Sequence, residues 1–416
     1  MDAWLIDAAR TPFGRYRGGL SGIRVDDLAA LPVTELLRRH AGRLDPASID
    51  DVVLGNTNGA GEENRNVGRM VVLLAGLPVH VPGVTINRLC ASGGEAIVQA
   101  ARAVGCGDAS LVVAGGVEGM SRAPFVVGKP DTALPASLEV APTHLGWRLV
   151  NPRMDPRWTV PLGRAAEQVA VELGIDRERM DAFALSSHQR AAQAWDLGVH
   201  KGFVFEVSTG DGSVTEGGSV TKSGSIVGAA RSRGGSVTMD ESVRRDTTAE
   251  KLARLKPAFS PSGPVTAGNS SPLNDGAAAV LVGSTAVADG LGVTPLGRLA
   301  GSAVAAVEPH RFTLAPVPAV RRLLGRLGWR IEDVDLWEIN EAFAAMVLSV
   351  LHELPEVDPE RVNVHGGAIA YGHPLGASMP RVIVDVCRHL RVRGGGRGVA
   401  AVCVGVGQGM AVAVEV

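Results

Sequence analysis

The sequence has few aromatic residues, few cysteines and almost no net charge. Phe, Trp and Tyr make up 4% of its 416 residues, and the formal net charge at pH 7 is −2. Without an excess of positive charge the chain offers no broad surface for a polyanion, so nucleic acid is not an expected partner. The four cysteines show neither C-x-x-C nor zinc-finger spacing, and no metal site is predicted: Cys90, Cys106, Cys387 and Cys403.

Long apolar segments are also missing. No apolar run reaches the length of a membrane span, so no membrane contact is expected. The first residues lack the basic segment and apolar core of a secretory signal. Together with the cysteine spacing, these absences favour a reduced, cytoplasmic protein.

What the sequence has in abundance is glycine, with 53 residues, and short apolar runs between segments of helical periodicity. Four such runs in the first part predict buried strands: Ala3 to Asp7, Asp51 to Asn56, Val81 to Ile86 and Ser110 to Gly116. Apolar residues at helical spacing lie between them, as at 28–40 and 64–75. This alternation predicts an α/β fold with a mostly parallel sheet covered on both faces.

The character of the sequence divides the chain into three parts. From Val117 to about Arg254 the alternation gives way to prolines, isolated tryptophans and a Gly/Ser/Thr-rich segment, Ser208 to Ser236. That segment predicts a surface hairpin or loop, and regular alternation resumes after it. We therefore assign 1–120 plus 252–280 to an N-terminal half, 121–251 to an inserted loop domain, and 281–416 to a C-terminal half.

Two local echoes indicate that the halves are related. Leu111 to Met120 resembles Ala400 to Met410, and the turn around Cys90 resembles Ala370 to Ser378. Each pair has a strand or helix and a glycine-rich turn in the same order. Two similar halves placed back to back would bring both turns close to one pseudo-twofold axis.

The turn that contains Cys90 is the first candidate reactive site. It follows the predicted strand at 81–86 and precedes an Ala-rich helical run from Gly94 to Val104. Unpaired N–H groups at a helix start favour negative charge, so a thiol there is expected to ionise easily and act as a nucleophile. Considered alone, a free cysteine is more often a small buried hydrophobe, and that alternative stays open here.

Three other segments place reactive residue types at turns. Asn340 follows an apolar strand-like run, His373 stands in a turn framed by glycine and proline, and Cys403 ends another apolar run. Each has a purely structural explanation when taken singly. Asn340 would be a helix cap, His373 a hydrogen-bonded turn residue, and Cys403 a packed thiol.

Taken together, these segments resemble the thiolase family over nearly the whole chain. The matching segments are Arg10–Phe13, Asn87–Gly93, Gly116–Arg122, Ala267–Ala278, Asn340–Ala344, Gly366–Gly376 and Cys403–Gly409. The resemblance implies the thiolase fold, in which two similar α/β halves form five layers, α-β-α-β-α, with an inserted loop domain over the substrate site. It also implies a homodimer or homotetramer.

The resemblance further implies a reaction and a role for each reactive residue. Cys90 attacks the 3-keto carbon of a 3-oxoacyl-CoA, and His373 takes its proton as general base. The C2–C3 bond breaks, Cys403 protonates the departing acetyl-CoA enolate, and Cys403 then helps to deprotonate the incoming CoA. His373 and a water held by Asn340 stabilise the enolate oxygen of acetyl-CoA. The N–H groups of Cys90 and Gly405 stabilise the oxyanion on the carbon that Cys90 attacks. CoA is then a cosubstrate, and no metal or prosthetic group is implied.

Four further residues are assigned to the substrate site by the same resemblance. Arg244 matches a position near the nucleotide end of CoA, and Ser271 a position near its pantetheine. Leu162 and Phe343 are expected to contact the bound acyl-CoA.

Three segments resemble one particular branch of this family. The segments 60–67, 122–129 and 146–152 look like the 3-oxoadipyl-CoA thiolase branch, which serves aromatic-compound degradation. A distal carboxylate needs a cation or several donors, and Arg148 is the residue expected near it. The alternatives are an acetoacetyl-CoA thiolase, a general fatty-acid β-oxidation thiolase and a non-catalytic acyl-CoA-binding scaffold.

The sequence also departs from the family pattern close to the predicted site. Val406 stands where a glycine is usual, and Met379-Pro380 replace small residues before Arg381. None of these departures removes a catalytic atom, so they bear on acyl specificity. Condensing enzymes of this fold typically use two histidines where this chain has His373 and Cys403, which favours a thiolase.

Overall fold

The computed structural model describes residues 3–209 and 235–416. The strands are β1 (Trp4–Arg10), β2 (Gly14–Arg15), β3 (Asp51–Gly55), β4 (Gly83–Ile86), β5 (Leu111–Gly119), β6 (Phe125–Val127), β7 (Val140–Pro142), β8 (Val207–Ser208), β9 (Ser236–Val237), β10 (Asn274–Gly283), β11 (Gly297–Ala306), β12 (Leu336–Ile339), β13 (Arg397–Val404) and β14 (Gln408–Glu415). The α-helices are α1 (Val25–Arg39), α2 (Val67–Leu74), α3 (Ser92–Cys106), α4 (Leu162–Glu172), α5 (Arg177–Asp196), α6 (Ala249–Ala253), α7 (Thr285–Leu291), α8 (Pro316–Leu327), α9 (Ala344–Glu353), α10 (Ala368–Tyr371) and α11 (Leu375–Arg393).

The main sheet consists of two similarly connected halves. Its strand order is β12-β13-β14-β11-β1-β10-β5-β3-β4, and β2 pairs with β10. The halves meet where β1 pairs with β11. On each side of this contact the first strand is antiparallel to the second, the second antiparallel to the third, and the third parallel to the fourth. This repetition confirms the two similar halves that the sequence predicts.

The prediction of a mostly parallel sheet is wrong. Among the described strands of the main sheet, only the β3–β4, β3–β5 and β12–β13 contacts are parallel. The physical reason lies in the connections. A tight turn at 405–407 joins β13 to β14, and a tight turn can join only antiparallel neighbours. Strand β10 follows the long inserted region instead of a crossover helix.

Three hydrophobic clusters hold five layers together. One outer cluster lies between helices α1 and α2 and the N-terminal half of the sheet. The other outer cluster lies between the C-terminal half and helices α8 and α9. The central cluster surrounds α3 and α11, which lie between the two halves. Period-two alternation builds these clusters: along β5, Val113 faces the outer cluster, while Val112 and Ala114 face the central one. The five-layer thiolase fold is thereby confirmed.

The inserted region is anchored to the sheet by a buried ion pair. Arg10, in β1, and Asp240 are both fully buried, and their closest atoms are 2.7 Å apart. The ends of the Gly/Ser/Thr-rich segment pair as β8 and β9, with Val207 opposite Val237. The rest of the predicted hairpin, 210–234, lies outside the described residues. Strand β10 extends to Gly283, beyond the end at 280 that we assigned to the N-terminal half.

None of the helices in the described part of the chain is both long and apolar enough to cross a membrane.

Glycine allows the central helices and the sheet to meet backbone to backbone. A Cβ atom on Gly93, in α3, or on Gly116, in β5, would come closer than 3.0 Å to the carbonyl oxygen of Gly376 in α11. Real Cβ atoms essentially never approach that closely, so a side chain at either position must displace α11. The contact lies next to both predicted reactive turns, because Cys90 precedes α3 and His373 precedes α11.

We therefore expect Gly116→Ala to lower the free energy of unfolding by about 1–3 kcal/mol or more, the usual cost of overpacking a rigid interior. Gly325→Ala is the control, because a Cβ at Gly325 in α8 meets nothing within 4 Å. Alanine has the higher helix propensity, so this control should be neutral or stabilising by up to about 1 kcal/mol. Thermal and urea unfolding measure both variants. Equal stability of the two would contradict the close backbone contact.

Candidate active site

The turn of Cys90 is held in a strained conformation. A short 3-10 turn, Leu89–Ala91, joins β4 to α3. Leu89 has a φ of 46°, a region that residues other than glycine rarely adopt. The hydroxyl of Ser92 accepts from the N–H of Arg88 at 2.9 Å and donates to the carbonyl of Leu89 at 2.6 Å. Such strain is common at functional sites, and here it directs Cys90 into the interior, where it is 8% exposed.

Burial governs the ionisation of the Cys90 thiol. It raises the pKa of Cys90 to about 11, although the backbone N–H groups of Gly405 and of Cys90 itself hydrogen-bond the sulfur and act in the opposite direction. The negative charge of Glu118 raises the pKa further. The expectation that a helix start makes this thiol easy to ionise is therefore wrong, because desolvation outweighs the N–H groups.

His373 is neutral and held in one tautomer. Its Nδ1 lies 2.6 Å from Oγ of Ser378, and that hydroxyl also donates to the carbonyl of Pro374 at 3.0 Å. Because the hydroxyl has one hydrogen, we assign the proton of the ring to Nδ1, which leaves Nε2 as the basic nitrogen. Burial, helped by the positive charge of Arg381, lowers the pKa of His373 to about 3.

A strand of the other half fixes the backbone of this turn. The N–H of His373 donates to Oδ1 of Asn274, in β10, at 3.0 Å. The side-chain amide of Asn274 donates in turn to the carbonyl of Gly14 and to the hydroxyl of Ser242, at 2.9 and 3.0 Å. The preceding Gly372 has a φ of 109°, and any side chain there would collide with Asn274.

Asn340 lies beside the imidazole. Its Nδ2 is 3.4 Å from Nδ1 and 3.5 Å from Nε2 of His373, and its backbone N–H donates to the carbonyl of Ala401 at 2.8 Å. Its Oδ1 is buried and has no hydrogen-bond partner among the described residues. A buried acceptor of this kind suits a donor supplied by a ligand or a water.

Cys403 is a neighbour of Cys90. It lies near the end of β13 and is 1% exposed. Burial raises the pKa of Cys403 well above its ordinary value, and the charge of an ionised Cys90 raises it further. Two residues beyond it, Gly405 brings its N–H to the sulfur of Cys90. The structure thus places Cys90 beside Cys403 and Gly405, and His373 beside Asn340. Glu118 connects these two buried groups, because its charge acts on Cys90 and its carboxylate accepts from the N–H of Gly376, three residues after His373. We call the two groups together the reactive cluster.

None of the residues of the reactive cluster lines the cavity of about 700 Å³, which is connected to the turn of His373 through Ser242 in its lining and Asn274. Arg244 lines it, and the backbone N–H of Arg244 donates to Nδ1 of His188, whose pKa burial lowers to about 4. Ser270 lines the cavity, whereas Ser271 donates its hydroxyl to the carbonyl of Ala342. Other polar and charged residues of the wall are Arg15, Tyr16, Glu241, Ser242, Asp246, Thr247 and Lys251.

Leu162 and Phe343 both lie near the aromatic ring of Phe259. Leu162 begins α4 and is 37% exposed. Phe343 packs edge to face against Phe259 and Phe312, with ring centroids 6.0 and 6.3 Å apart. Phe259 in turn contacts Gly163, the neighbour of Leu162. The two predicted substrate residues are therefore linked through one aromatic ring.

Two basic residues, Arg88 beside Cys90 and Arg122 in the segment 122–129, are paired with carboxylates. Arg88 pairs with Glu95 at 2.9 Å, and Arg122 forms a two-pronged ion pair with Glu62. Arg148 is exposed, and its Nη1 donates to the carbonyl of Thr143 at 3.4 Å. The role of Arg148 toward a substrate stays a prediction.

Several residues of the site escaped prediction. They are buried polar side chains, namely Glu118, His188, Asn274 and Ser378. Only Glu118 interrupts an apolar run, and that interruption was the available signal for it.

The fold and this cluster define the class of protein. The thiolase N-terminal domain model matches residues 3–286, and the thiolase C-terminal domain model matches residues 293–416. The chain therefore belongs to the thiolase family.

Individual relatives match over the full length. The chain is 47% identical over 418 residues to the beta-ketoadipyl-CoA thiolase of Pseudomonas aeruginosa, covering 100% of this chain and 99% of that protein. It resembles the structure of the Bacillus anthracis acetyl-CoA acetyltransferase with a TM-score of 0.87 and 36% identity, covering 100% of this chain and 98% of that chain. It also resembles human mitochondrial 3-ketoacyl-CoA thiolase in complex with CoA, with a TM-score of 0.86, 34% identity and coverage of 99% and 97%.

The buried thiol leads to a pH prediction for the substrate-free protein. Alkylation of Cys90 by iodoacetamide should rise about tenfold per pH unit between about pH 8 and about pH 10, because a thiol with a pKa of about 11 stays mostly protonated there. Mass spectrometry of the Cys90 peptide measures the rate, and the exposed Cys106 controls for the reagent. A plateau below about pH 8 would instead support easy ionisation at the helix start.

Proposed function

We propose that this protein is a thiolase that acts on 3-oxoadipyl-CoA or a closely similar 3-oxoacyl-CoA with a distal carboxylate. It cleaves this substrate with CoA to acetyl-CoA and a shortened acyl-CoA, or runs the reverse Claisen condensation. The observation that carries the proposal is the burial of Cys90 beside Cys403 and of His373 beside Asn340, with Glu118 connecting the two pairs. The 47% identity to a beta-ketoadipyl-CoA thiolase supports the substrate.

The first step is acyl transfer to Cys90. Its thiol gives a proton to Nε2 of His373 while the sulfur bonds C3 of the substrate and the carbonyl electrons move onto oxygen. A thiol with a pKa of about 11 and an imidazole with a pKa of about 3 hold almost no free ion pair, so proton transfer accompanies attack. The N–H groups of Cys90 and Gly405 stabilise the oxyanion.

The second step breaks the C2–C3 bond. The oxyanion collapses to a thioester on Cys90, and the bonding electrons pass to the acetyl-CoA enolate. The thiol of Cys403 then protonates C2, which releases acetyl-CoA and leaves a thiolate. The unpartnered Oδ1 of Asn340 supports a water that, with the protonated His373, donates to the enolate oxygen.

The third step restores a proton to each of the two thiols. The thiolate of Cys403 takes the proton of the incoming CoA thiol, and the CoA sulfur attacks the acyl carbon on Cys90. Collapse of this second adduct expels the sulfur of Cys90, which recovers its proton from His373. No redox change occurs, so CoA serves as cosubstrate and the proposed reaction needs no other cofactor.

The 700 Å³ cavity is the proposed CoA site. Arg15 and Arg244 supply positive charge suited to phosphates, whereas Lys251 is paired with Asp246 of the same wall. The cavity is connected to the turn of His373, because Ser242 in its lining bonds Asn274 and Asn274 bonds the N–H of His373. Ser270 lines the cavity, and its neighbour Ser271 stays the residue predicted near the pantetheine. A cytoplasmic homodimer or homotetramer remains our expectation for the assembly.

A thiolysis panel tests the proposed substrate. We expect 3-oxoadipyl-CoA to give the highest kcat/KM with free CoA, ahead of a medium-chain 3-oxoacyl-CoA and acetoacetyl-CoA. Turnover of the other two substrates without 3-oxoadipyl-CoA would leave a general or acetoacetyl-CoA thiolase. Loss of all three activities in folded protein would favour a binding scaffold.

The variant Arg148→Ala tests, with the same substrates, whether Arg148 pairs with the distal carboxylate. If Arg148 pairs with the distal carboxylate, kcat/KM for 3-oxoadipyl-CoA falls about tenfold to a hundredfold, equivalent to about 1.5–3 kcal/mol for a charge-assisted hydrogen bond. Acetoacetyl-CoA has no distal charge and should be unaffected. Arg153→Ala, at an exposed arginine of the same region, is the matched control. Parallel losses for both substrates would mean that Arg148 only supports its loop.

Cys90 and Cys403 should be required for different steps of the reaction. Cys403→Ala should still allow acetyl-CoA to acetylate Cys90, while cleavage of acetoacetyl-CoA falls by about 10²–10⁴-fold, the usual effect of losing an acid or base. Mass spectrometry measures acetylation, and release of acetyl-CoA measures cleavage. Cys387→Ala, a buried cysteine in α11, should spare both steps. Equal loss of the two steps in Cys403→Ala would reduce Cys403 to orienting Cys90.

A further inference from the structure

Glu118 is a buried carboxylate that the proposed reaction does not use. It lies near the end of β5 and is 1% exposed. Its carboxylate accepts hydrogen bonds from the N–H of Thr57 at 3.1 Å, the N–H of Gly376 at 3.1 Å and the side-chain amide of Asn56 at 3.4 Å. All three donors are uncharged. Burying an ionised carboxylate among uncharged donors costs free energy, so the position of Glu118 calls for an explanation.

One oxygen of Glu118 joins the turn of His373 to the loop after β3. Oε2 accepts both from Thr57, which follows β3, and from Gly376, near the start of α11 and three residues after His373. A negative charge is favourable at that place because the first N–H groups of a helix are unpaired. The carboxylate therefore holds the turn of His373 against the half of the fold that carries Cys90.

The charge of Glu118 also acts on the nucleophile. It raises the pKa of Cys90, and burial raises the pKa of Glu118 itself to about 7, with the charge of Glu63 adding to the shift. Above pH 7 the carboxylate is ionised and disfavours the thiolate; below pH 7 it is neutral and has no such effect. The titratable groups on the elements packed against β5 include Asp51 on β3, Glu95 on α3, Asp275 on β10 and Arg381 on α11, with His373 just before α11.

We propose that Glu118 is a positioning residue of the thiolase site: through the N–H of Gly376 it fixes the His373 turn relative to Cys90, and its negative charge adds to the cost of ionising Cys90. The catalytic part rests on the proposed function. The electrostatic part can be tested on the substrate-free protein, so the two can fail separately.

The test compares Glu118→Gln with the unmodified protein by alkylation of Cys90 across pH. Glutamine keeps the size of the side chain and an acceptor oxygen but cannot ionise. The ratio of the variant rate to the unmodified rate should be about one near pH 5.5 and about threefold above pH 8, with a midpoint near 7, corresponding to a change of about half a unit in the pKa of the thiol. A flat ratio overturns the electrostatic role.

Glu341→Gln is the matched control. Glu341 is also a buried carboxylate, with neutral donors at Ser187, Asn363 and Ile369, but its charge has no resolved effect on Cys90. Its alkylation ratio should stay flat with pH. A pH-dependent ratio equal to that of Glu118→Gln would mean that any buried charge acts this way, which would overturn the specific role of Glu118.

Glu118→Asp tests the positioning role separately. The shorter side chain keeps the charge but withdraws the oxygen from Gly376, so kcat with acetoacetyl-CoA should fall about tenfold to a hundredfold with little change in KM, as expected for misplacement of a catalytic group. Unchanged kcat in folded Glu118→Asp overturns the positioning role. If the unmodified protein cleaves no 3-oxoacyl-CoA, the proposed function fails, while the alkylation ratios still decide the electrostatic role.

Discussion

The site depends on a contact between backbones. The carbonyl oxygen of Gly376 lies where a Cβ of Gly93 or Gly116 would be, so α11, α3 and β5 meet without intervening side chains. This contact allows two reactive turns, each at the start of a central helix, to lie in one cluster. The three hydrophobic clusters press the layers together, but apolar burial is non-directional and fixes no register. The glycine contact and the bonds of Glu118 and Asn274 supply that register.

The same burial sets the resting state of the chemistry. Both thiols are protonated and the imidazole is neutral, because every charged form would lose its hydration. Before substrate binds, the reactive cluster therefore contains no ion pair between a thiolate and a protonated imidazole. Charge appears only when substrate supplies a carbonyl oxygen to receive it. Preorganised N–H groups such as that of Gly405 then act where water is excluded, and there they are worth more than in solvent.

The duplicated architecture could be predicted from the sequence, because its strands leave clear apolar runs. The roles of Cys90, His373 and Cys403 stay predictions, and they rest on local patterns of the same kind, glycine-containing turns and strand ends. Two expectations were wrong because they depend on tertiary context. The direction of β10 and β14 follows from their connections, and the pKa of Cys90 follows from burial, which no local pattern reports. Glu118 and Asn274 were missed because they bond partners 258 and 99 residues away.

Val406 shows how a departure from the family pattern is accommodated. It has a φ of 64°, which for a β-branched residue is an outlier that costs about 1–3 kcal/mol. It stands between Gly405 and Gly407 at the tip of the β13–β14 turn, and its side chain is 37% exposed. The antiparallel pairing of Cys403 with Gly409 and Val404 with Gln408 fixes both arms of the turn, so the strain is confined to its tip. The N–H of Gly405 consequently keeps its bond to Cys90, and a glycine is not required at position 406 for the cluster to form.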